Sequence, residues 1–304
     1  MGLGMRPAAA LALLLGAAPP GPAPAAGPEA VVLGVAQDGG VPHLGCRQAL
    51  CVAARRDPSK RRLVASLGLV DAAAGRRFLV DATPDLPAQV EMLGGMPEAI
   101  LLTHAHIGHY LGLAQLGREV LNTKDLPVYC TASMARFLRE NKPWSRLVER
   151  GNVALREIEV GKEFPLTASL RVMAIRVPHR DEDSDTVAYL VRGPKRRVLW
   201  LPDIDRWEKW DQNPADFAGD AGLTMFLDGT FFSADEIPGR PIADIPHPLV
   251  PDTMDLLARG GPPKAAVRFV HLNHTNRLYW DADAVKRLEE RGFAVAREGD
   301  RLPL

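Results

Sequence analysis

The apolar run Ala99-Ile100-Leu101-Leu102 leads directly into Thr103-His104-Ala105-His106-Ile107-Gly108-His109, and this passage constrains the chain more than any other. Side chains alternate faces along a strand, so a strand that ends in His-x-His projects both imidazoles to one side. A third histidine three residues on can turn back to the same point. Imidazole is the commonest protein ligand for zinc and similar metals. The scaffold must therefore hold a strand end open to solvent and bring further ligands to it.

The rest of the chain offers such a scaffold. Apolar runs rich in Val and Ile, bounded by Gly, Pro and Asp, read as strands over Val31 to Ala36, Leu63 to Val70, Arg77 to Val80 and Ala99 to Leu102. A second set covers Leu170 to Val177, Thr186 to Val191, Arg197 to Leu201, Leu223 to Leu227 and Ala266 to Val270. Leu86 to Leu93, Leu111 to Leu121, Val250 to Arg259 and Ala282 to Arg291 read as helices. Two strand-rich halves with helices outside predict an α/β fold, an αββα sandwich of two mixed sheets, as one domain over residues 27–304.

Chemistry-bearing residues recur where these strands end. Pro178-His179 follows one run, Pro202-Asp203 the next, and His271-Leu272-Asn273-His274 a third. Strand ends are where such scaffolds place chemistry, because the sheet fixes the backbone while the loops open to solvent. His104, His106, His109, His179, Asp203 and His271 then form a candidate set of ligands for one or two metals. Taken singly, His179 reads as a surface or satisfied histidine, and Asp203 as a helix N-cap ahead of Ile204-Asp205-Arg206.

Composition narrows the function class. The 304 residues are 46% hydrophobic and 24% charged, with 37 basic against 37 acidic side chains. That balance, with no basic run, argues against a nucleic-acid groove and leaves a small-molecule substrate as the expected partner. Residues 1–26 differ from the rest: one positive charge at Arg6, an Ala/Leu run from Pro7 to Ala18, then Pro and Ala to Ala26. They read as an export signal cut near Ala26, which places the mature protein in the periplasm or outside the cell. A disordered Ala/Pro-rich tail is the alternative. The run is too short to span a bilayer. Cys46, Cys51 and Cys130 leave an odd thiol, and Cys46 and Cys51 suit either a disulfide or a metal.

Thr-His-Ala-His-Ile-Gly-His resembles the His-x-His-x-Asp-His motif of the metallo-β-lactamase superfamily. Asp81, His179, Asp203 and a late His follow in that superfamily's order. Within it, Gly39-Gly40-Val41-Pro42 with Cys46 and Cys51 resembles the PqqB family of pyrroloquinoline quinone biosynthesis proteins. So do Val177-Pro178-His179-Arg180, Leu227-Asp228-Gly229-Thr230-Phe231-Phe232 and Val270-His271-Leu272-Asn273-His274. The paired-His motif is also similar to the PhnP-like phosphodiesterases.

The resemblance implies a zinc-dependent hydrolase of an ester, lactone, amide or phosphodiester, with iron or manganese as alternative metals. The alternative function is a role in quinone cofactor biosynthesis or transport, by binding or iron-dependent hydroxylation. By the same resemblance, His104, His106 and His179 hold one metal, and His109 and His271 hold another bridged by Asp203; Asp203 and His109 carry catalysis. Cys46, Cys51 and His274, with His43, form an additional structural zinc site; a Cys46–Cys51 disulfide with His274 in the active site is the alternative. Gly108 replaces the motif's Asp, which implies a weaker second metal and predicts that Gly108→Asp tightens it. Asp228 is a candidate substitute carboxylate, with a plain turn residue as the other reading. Lys142 to Gly151 and Ser233 to Pro246 are candidate substrate loops, and Trp144, Trp207, Trp210, Phe231 and Phe232 candidate pocket residues.

Overall fold

The computed structural model describes Met1 and residues 27–237, 239, 241, 244–259 and 261–304. The expected export signal, apart from Met1, lies outside the described residues. No helix among the described residues is long and apolar enough to cross a membrane.

Two seven-stranded mixed sheets carry the fold. The first contains β1 (Glu29–Gly34), β2 (Ser66–Asp71), β3 (Arg76–Val80), β4 (Ala99–Leu101), β5 (Leu126–Cys130) and β6 (Val153–Glu157) in chain order. The second contains β7 (Glu163–Pro165), β8 (Arg171–Val177), β9 (Thr186–Arg192), β10 (Arg197–Leu201), β11 (Leu223–Asp228), β12 (Ala266–Val270) and β13 (Phe293–Val295) in unbroken order. The last strand, β14 (Arg301–Pro303), crosses back to pair with β1 and closes the first sheet's edge.

Alternation along the strands produces the sandwich. In β1, Ala30 and Val32 face the second sheet, while Val31 and Leu33 face the outer helices. In β10, Val198 and Trp200 lie between the sheets and Leu199 and Leu201 point outward. Both faces of each central strand are therefore apolar and covered, as expected for parallel strands connected through helices. The helices α1 (Ala49–Arg56), α2 (Leu86–Leu93), α3 (Ile107–Tyr110), α4 (Ala132–Glu140) and α5 (Trp144–Glu149) belong to the first half. The second half contributes α6 (Pro214–Ala218), α7 (Val250–Ala258) and α8 (Ala282–Glu290).

Strand direction decides where the site lies. β1 and β3 both pair antiparallel with β2, and β4 is parallel to β3, so β1, β3 and β4 end at one edge. By the same counting β8, β10, β11 and β12 run together and end at one edge of the second sheet.

Two expectations are corrected. Leu111 to Leu121 is not an α-helix: α3 gives way to 3₁₀ turns over Leu111–Leu116. A side chain at Gly112 would meet Thr83 O at 2.2 Å, so this segment lies hard against the strand-end backbone. Lys142 to Gly151 is no substrate loop, since it forms α5 and buries Trp144 and Leu147 in the first half's outer core.

Candidate metal centre

The histidines sit at or just beyond strand ends, and in His104, His109 and His271 the second ring nitrogen is held by a buried neighbour. Asp81, directly after β3, takes a left-handed φ of 66°. Its carboxylate accepts from Thr103 N at 2.9 Å and pairs with His109 Nδ1 at 2.8 Å. Thr103 Oγ1 lies 2.9 Å from His104 Nδ1, Asp205 Oδ1 lies 3.3 Å from His179 Nδ1, and Thr230 Oγ1 lies 3.0 Å from His271 Nδ1. Such outer partners orient ligand imidazoles and leave the opposite nitrogen free. A left-handed φ is costly for residues other than glycine, and His271 carries it too, at 61°.

Two groups of donor atoms result, and Asp203 joins two more, one with His104 and His109 and one with His247 and His271. Nitrogens of His104, His106 and His179 converge at the ends of β4 and β8. His104 Nε2 and His179 Nε2 lie 2.9 and 3.2 Å from His106 Nδ1. Tetrahedral zinc with nitrogen ligands sets neighbouring donors about 3.3 Å apart, so this group has the dimensions of a metal seat. Asp203 leads from it to the second group, with Oδ2 at 3.7 Å from His104 Nε2 and 3.0 Å from His109 Nε2.

The second group is Asp38, His109 and His271. Asp38 Oδ1 lies 3.6 Å from His109 Nε2 and 3.8 Å from His271 Nε2. Asp38 Oδ1, His109 Nε2, His271 Nε2 and Asp203 Oδ2 are all buried without a hydrogen-bond partner. An unsatisfied buried polar atom costs about 1–3 kcal/mol, and the three of Asp38, His109 and His271, within 4.8 Å of one another and with Asp203 Oδ2 beside His109, call for a shared partner. A divalent cation fits that donor set.

Electrostatics agree. Burial and the neighbouring charge of His109 hold His104 well below the ordinary imidazole pKa, in the neutral form that ligates. Burial opposes a charge on Asp203, but His271 and His179 outweigh it and hold the carboxyl well below its usual range. At His109 burial again opposes the charge, and Asp81 with Asp203 outweighs it, so this imidazole is held well above its usual value.

His274 separates from this centre. Cys46, Cys51 and His274 form their own group, with ligand atoms within 4.8 Å of one another. The His43 ring lies beside it, 4.3 Å from that of His274 between centroids. The three cysteines are free, so the alternative Cys46–Cys51 disulfide is not formed, and the alternative of His274 in the active site is not adopted. Asp228 is not the substitute carboxylate. Its oxygens are taken by His247 Nδ1 at 2.7 Å, Ile204 N at 3.1 Å and Thr230 Oγ1 at 2.7 Å.

Asp38 and His247 escaped the sequence reading. Asp38 sits in Gln37-Asp38-Gly39-Gly40, which reads as a turn, although it follows a strand just as His179 and Asp203 do. His247 lies in Pro246-His247-Pro248, a stretch with no periodicity. It stands beside the centre, its Nδ1 3.7 Å from Asp203 Oδ1.

A cleft of about 350 Å³ opens beside His247, between Phe231, Ile245, Arg180 and Asn273. Ser233 to Pro246 contributes Glu236, Ile237, Ile245 and Pro246 to it. Trp144, Trp207 and Trp210 are core residues instead, while Phe232 packs beside the outer core of the second half.

Comparison with known proteins matches this geometry to a family. A family model described as "Beta-lactamase superfamily domain" matches residues 76–272. A curated "Coenzyme PQQ synthesis protein B" of Rhizobium meliloti (strain 1021) is 27% identical over 300 residues, covering 88% of this chain and 95% of its own length. The crystal structure of Zn(2+)-bound PqqB from Methylobacterium extorquens superposes with a TM-score of 0.76 at 22% identity, covering 91% of this chain and 100% of that one. A diphosphatase of the PhnP family superposes with a TM-score of 0.67 at 22% identity, covering 90% and 96%. With the sandwich and the strand-end histidines already in place, the chain belongs to the β-lactamase superfamily that this model describes, and it is a PqqB-like protein of the metallo-β-lactamase fold.

Proposed function

We propose that this protein is a metal-dependent hydrolase, with zinc as its metal, acting on an ester, lactone, amide or phosphodiester. One observation carries the reading: the buried donors Asp38 Oδ1, His109 Nε2 and His271 Nε2 gather within 4.8 Å of one another with no hydrogen bond made, and Asp203 Oδ2, 3.0 Å from His109 Nε2, links them to the His104, His106 and His179 group. A zinc ion bound there supplies Lewis acidity, lowering the pKa of water toward ~7 and stabilising charge that develops on a substrate oxygen. His104, His106 and His179 would hold one ion, with Asp203 lying between that group and His109. Asp81, Thr103 and Thr230 keep the imidazoles of His109, His104 and His271 oriented, and Asp205 lies 3.3 Å from His179 Nδ1.

His247 supplies the proton for the leaving group. Burial opposes its charge, but Asp228 at 2.7 Å outweighs it and raises its pKa, which favours the proton-carrying form. Arg180, exposed at the cleft's edge with its Nε on Glu182 Oε1, gives an anionic substrate a cation to approach. The PhnP-family neighbour is a diphosphatase, which supports phosphoesters as the first class to assay. Cys46, Cys51 and His274 hold a separate structural zinc. Residues 1–26 direct export, which the mass of the mature protein in a periplasmic fraction tests.

The deciding experiment is metal analysis of the purified protein with a screen of phosphodiester, lactone and ester probes. Chelator-sensitive turnover of one class supports the reading. Bound metal with no turnover of any probe overturns it. That result favours the second reading, a binding or processing role in quinone cofactor synthesis, for which the names of the curated relatives speak.

A further inference from the structure

We propose that Asp38 supplies the second metal's carboxylate ligand in place of a side chain at position 108, and that Gly108 is glycine because Asp38 fills its side-chain space. This rests on the metal-centre reading above and deepens it. A Cβ built on Gly108 would stand 2.1 Å from Asp38 Oδ1, 2.9 Å from Asp38 Cγ and 2.8 Å from Asp38 Cα. Separations under 3.0 Å are not tolerated, and one of these is to backbone. A carboxylate from β1's loop therefore lies where a carboxylate from α3 would otherwise begin.

Asp38 is also held in place. Its neighbour Gln37 donates N–H to Leu272 O at 3.0 Å, and Leu272 N–H returns to Val35 O at 2.9 Å. Leu272 follows His271, so the loop that presents Asp38 is tied to the loop that presents His271. Gly40, at φ 63°, closes the turn by donating to Gln37 O at 2.7 Å. The Asp38 side chain is 36% exposed, yet Oδ1 is sealed from solvent and unpartnered, facing His109 and His271. A solvated surface aspartate would turn both oxygens to water.

This reverses the sequence expectation for position 108. An aspartate added there cannot join the site while Asp38 occupies it; it displaces Asp38 and its loop. The two positions should behave as alternatives.

The test counts zinc per chain by elemental analysis and measures affinity by calorimetry, on the wild type, Asp38→Asn, Gly108→Asp and the double variant Asp38→Gly with Gly108→Asp. Asparagine keeps the size of Asp38, and retention of the His104-group ion reports that each variant is folded. Asp38→Asn should lose one zinc or bind it at least tenfold more weakly, and Gly108→Asp alone should do the same. The double variant should recover it, because its loop over positions 38–40 then carries no side chain to displace and can yield. The proposal fails if Asp38→Asn keeps wild-type count and affinity, or if Gly108→Asp alone binds the second zinc more tightly. A wild type with no zinc beyond the cysteine site would instead overturn the metal-centre reading itself.

Discussion

His109 shows how one residue can link charge, metal and pH. It is fully buried between Asp81 and Asp203, which together outweigh the desolvation that opposes its charge. Its pKa is therefore held well above the ordinary imidazole value, and a cation that binds Nε2 competes with a proton there. Zinc titration at about pH 7 in buffers of different ionisation enthalpy should show release of about one proton from this residue, diminished in Asp81→Asn. Equal heats in all buffers would contradict it. The sign for the metal-free fold follows. A raised folded pKa stabilises below the ordinary imidazole value near 6.5, and that contribution fades as pH rises through the higher folded value. Zinc affinity moves the other way and increases with pH. His247 gives a second residue-level prediction. His247→Ala should lower kcat about 10²-fold or more for substrates with poor leaving groups and little for nitrophenyl esters, because only the former need its proton. Equal losses for both would remove it as the acid. The histidines at 104, 106 and 109 were legible because local spacing alone brings them together. Asp38 was not, because its role depends on empty space at Gly108 that only the packed structure reveals.

At the level of elements, the end of β12 serves two sites. His271 turns into the metal centre through its left-handed backbone, and His274, three residues further along, reaches Cys46 and Cys51 instead. The sequence left open which of the two enters the centre, since His-x-x-His permits either; the reversal at His271 decides it. Cys46→Ser should therefore lower zinc content by one per chain while leaving the buried centre loaded. Unchanged stoichiometry would show that the cysteine group holds no metal. Helix legibility follows the same physics. Leu86 to Leu93 forms as read, and Val250 to Arg259 and Ala282 to Arg291 form as helices that end one residue earlier, at Ala258 and Glu290. Leu111 to Leu121 carries leucines at helical spacing, but Gly112 and Gly117 interrupt it. The close approach of Gly112 to Thr83 O then holds it in 3₁₀ turns.

On the scale of the whole molecule, the centre joins the two halves of the sandwich. Asp38, His104, His106 and His109 follow strands of the first sheet, and His179, Asp203 and His271 follow strands of the second. The sandwich was readable because both faces of its central strands are apolar, but the shared edge was not, since it depends on strand direction. At this edge Asp203 faces five imidazoles, and buried donor atoms lack hydrogen bonds. A cation there bonds to both sheets at once, so it binds the assembled sandwich and not either half unfolded. Ligand linkage then requires zinc to stabilise the fold by about 2.7 kcal/mol at a free concentration a hundredfold above its dissociation constant. Thermal unfolding should rise by several degrees on zinc addition and fall on chelation, as a single cooperative transition. In Asp203→Asn, where the connection between the two groups is weakened, the zinc-induced rise should be much smaller. A full-sized rise in that variant, or none in the wild type, would show that the metal does not hold the two sheets together.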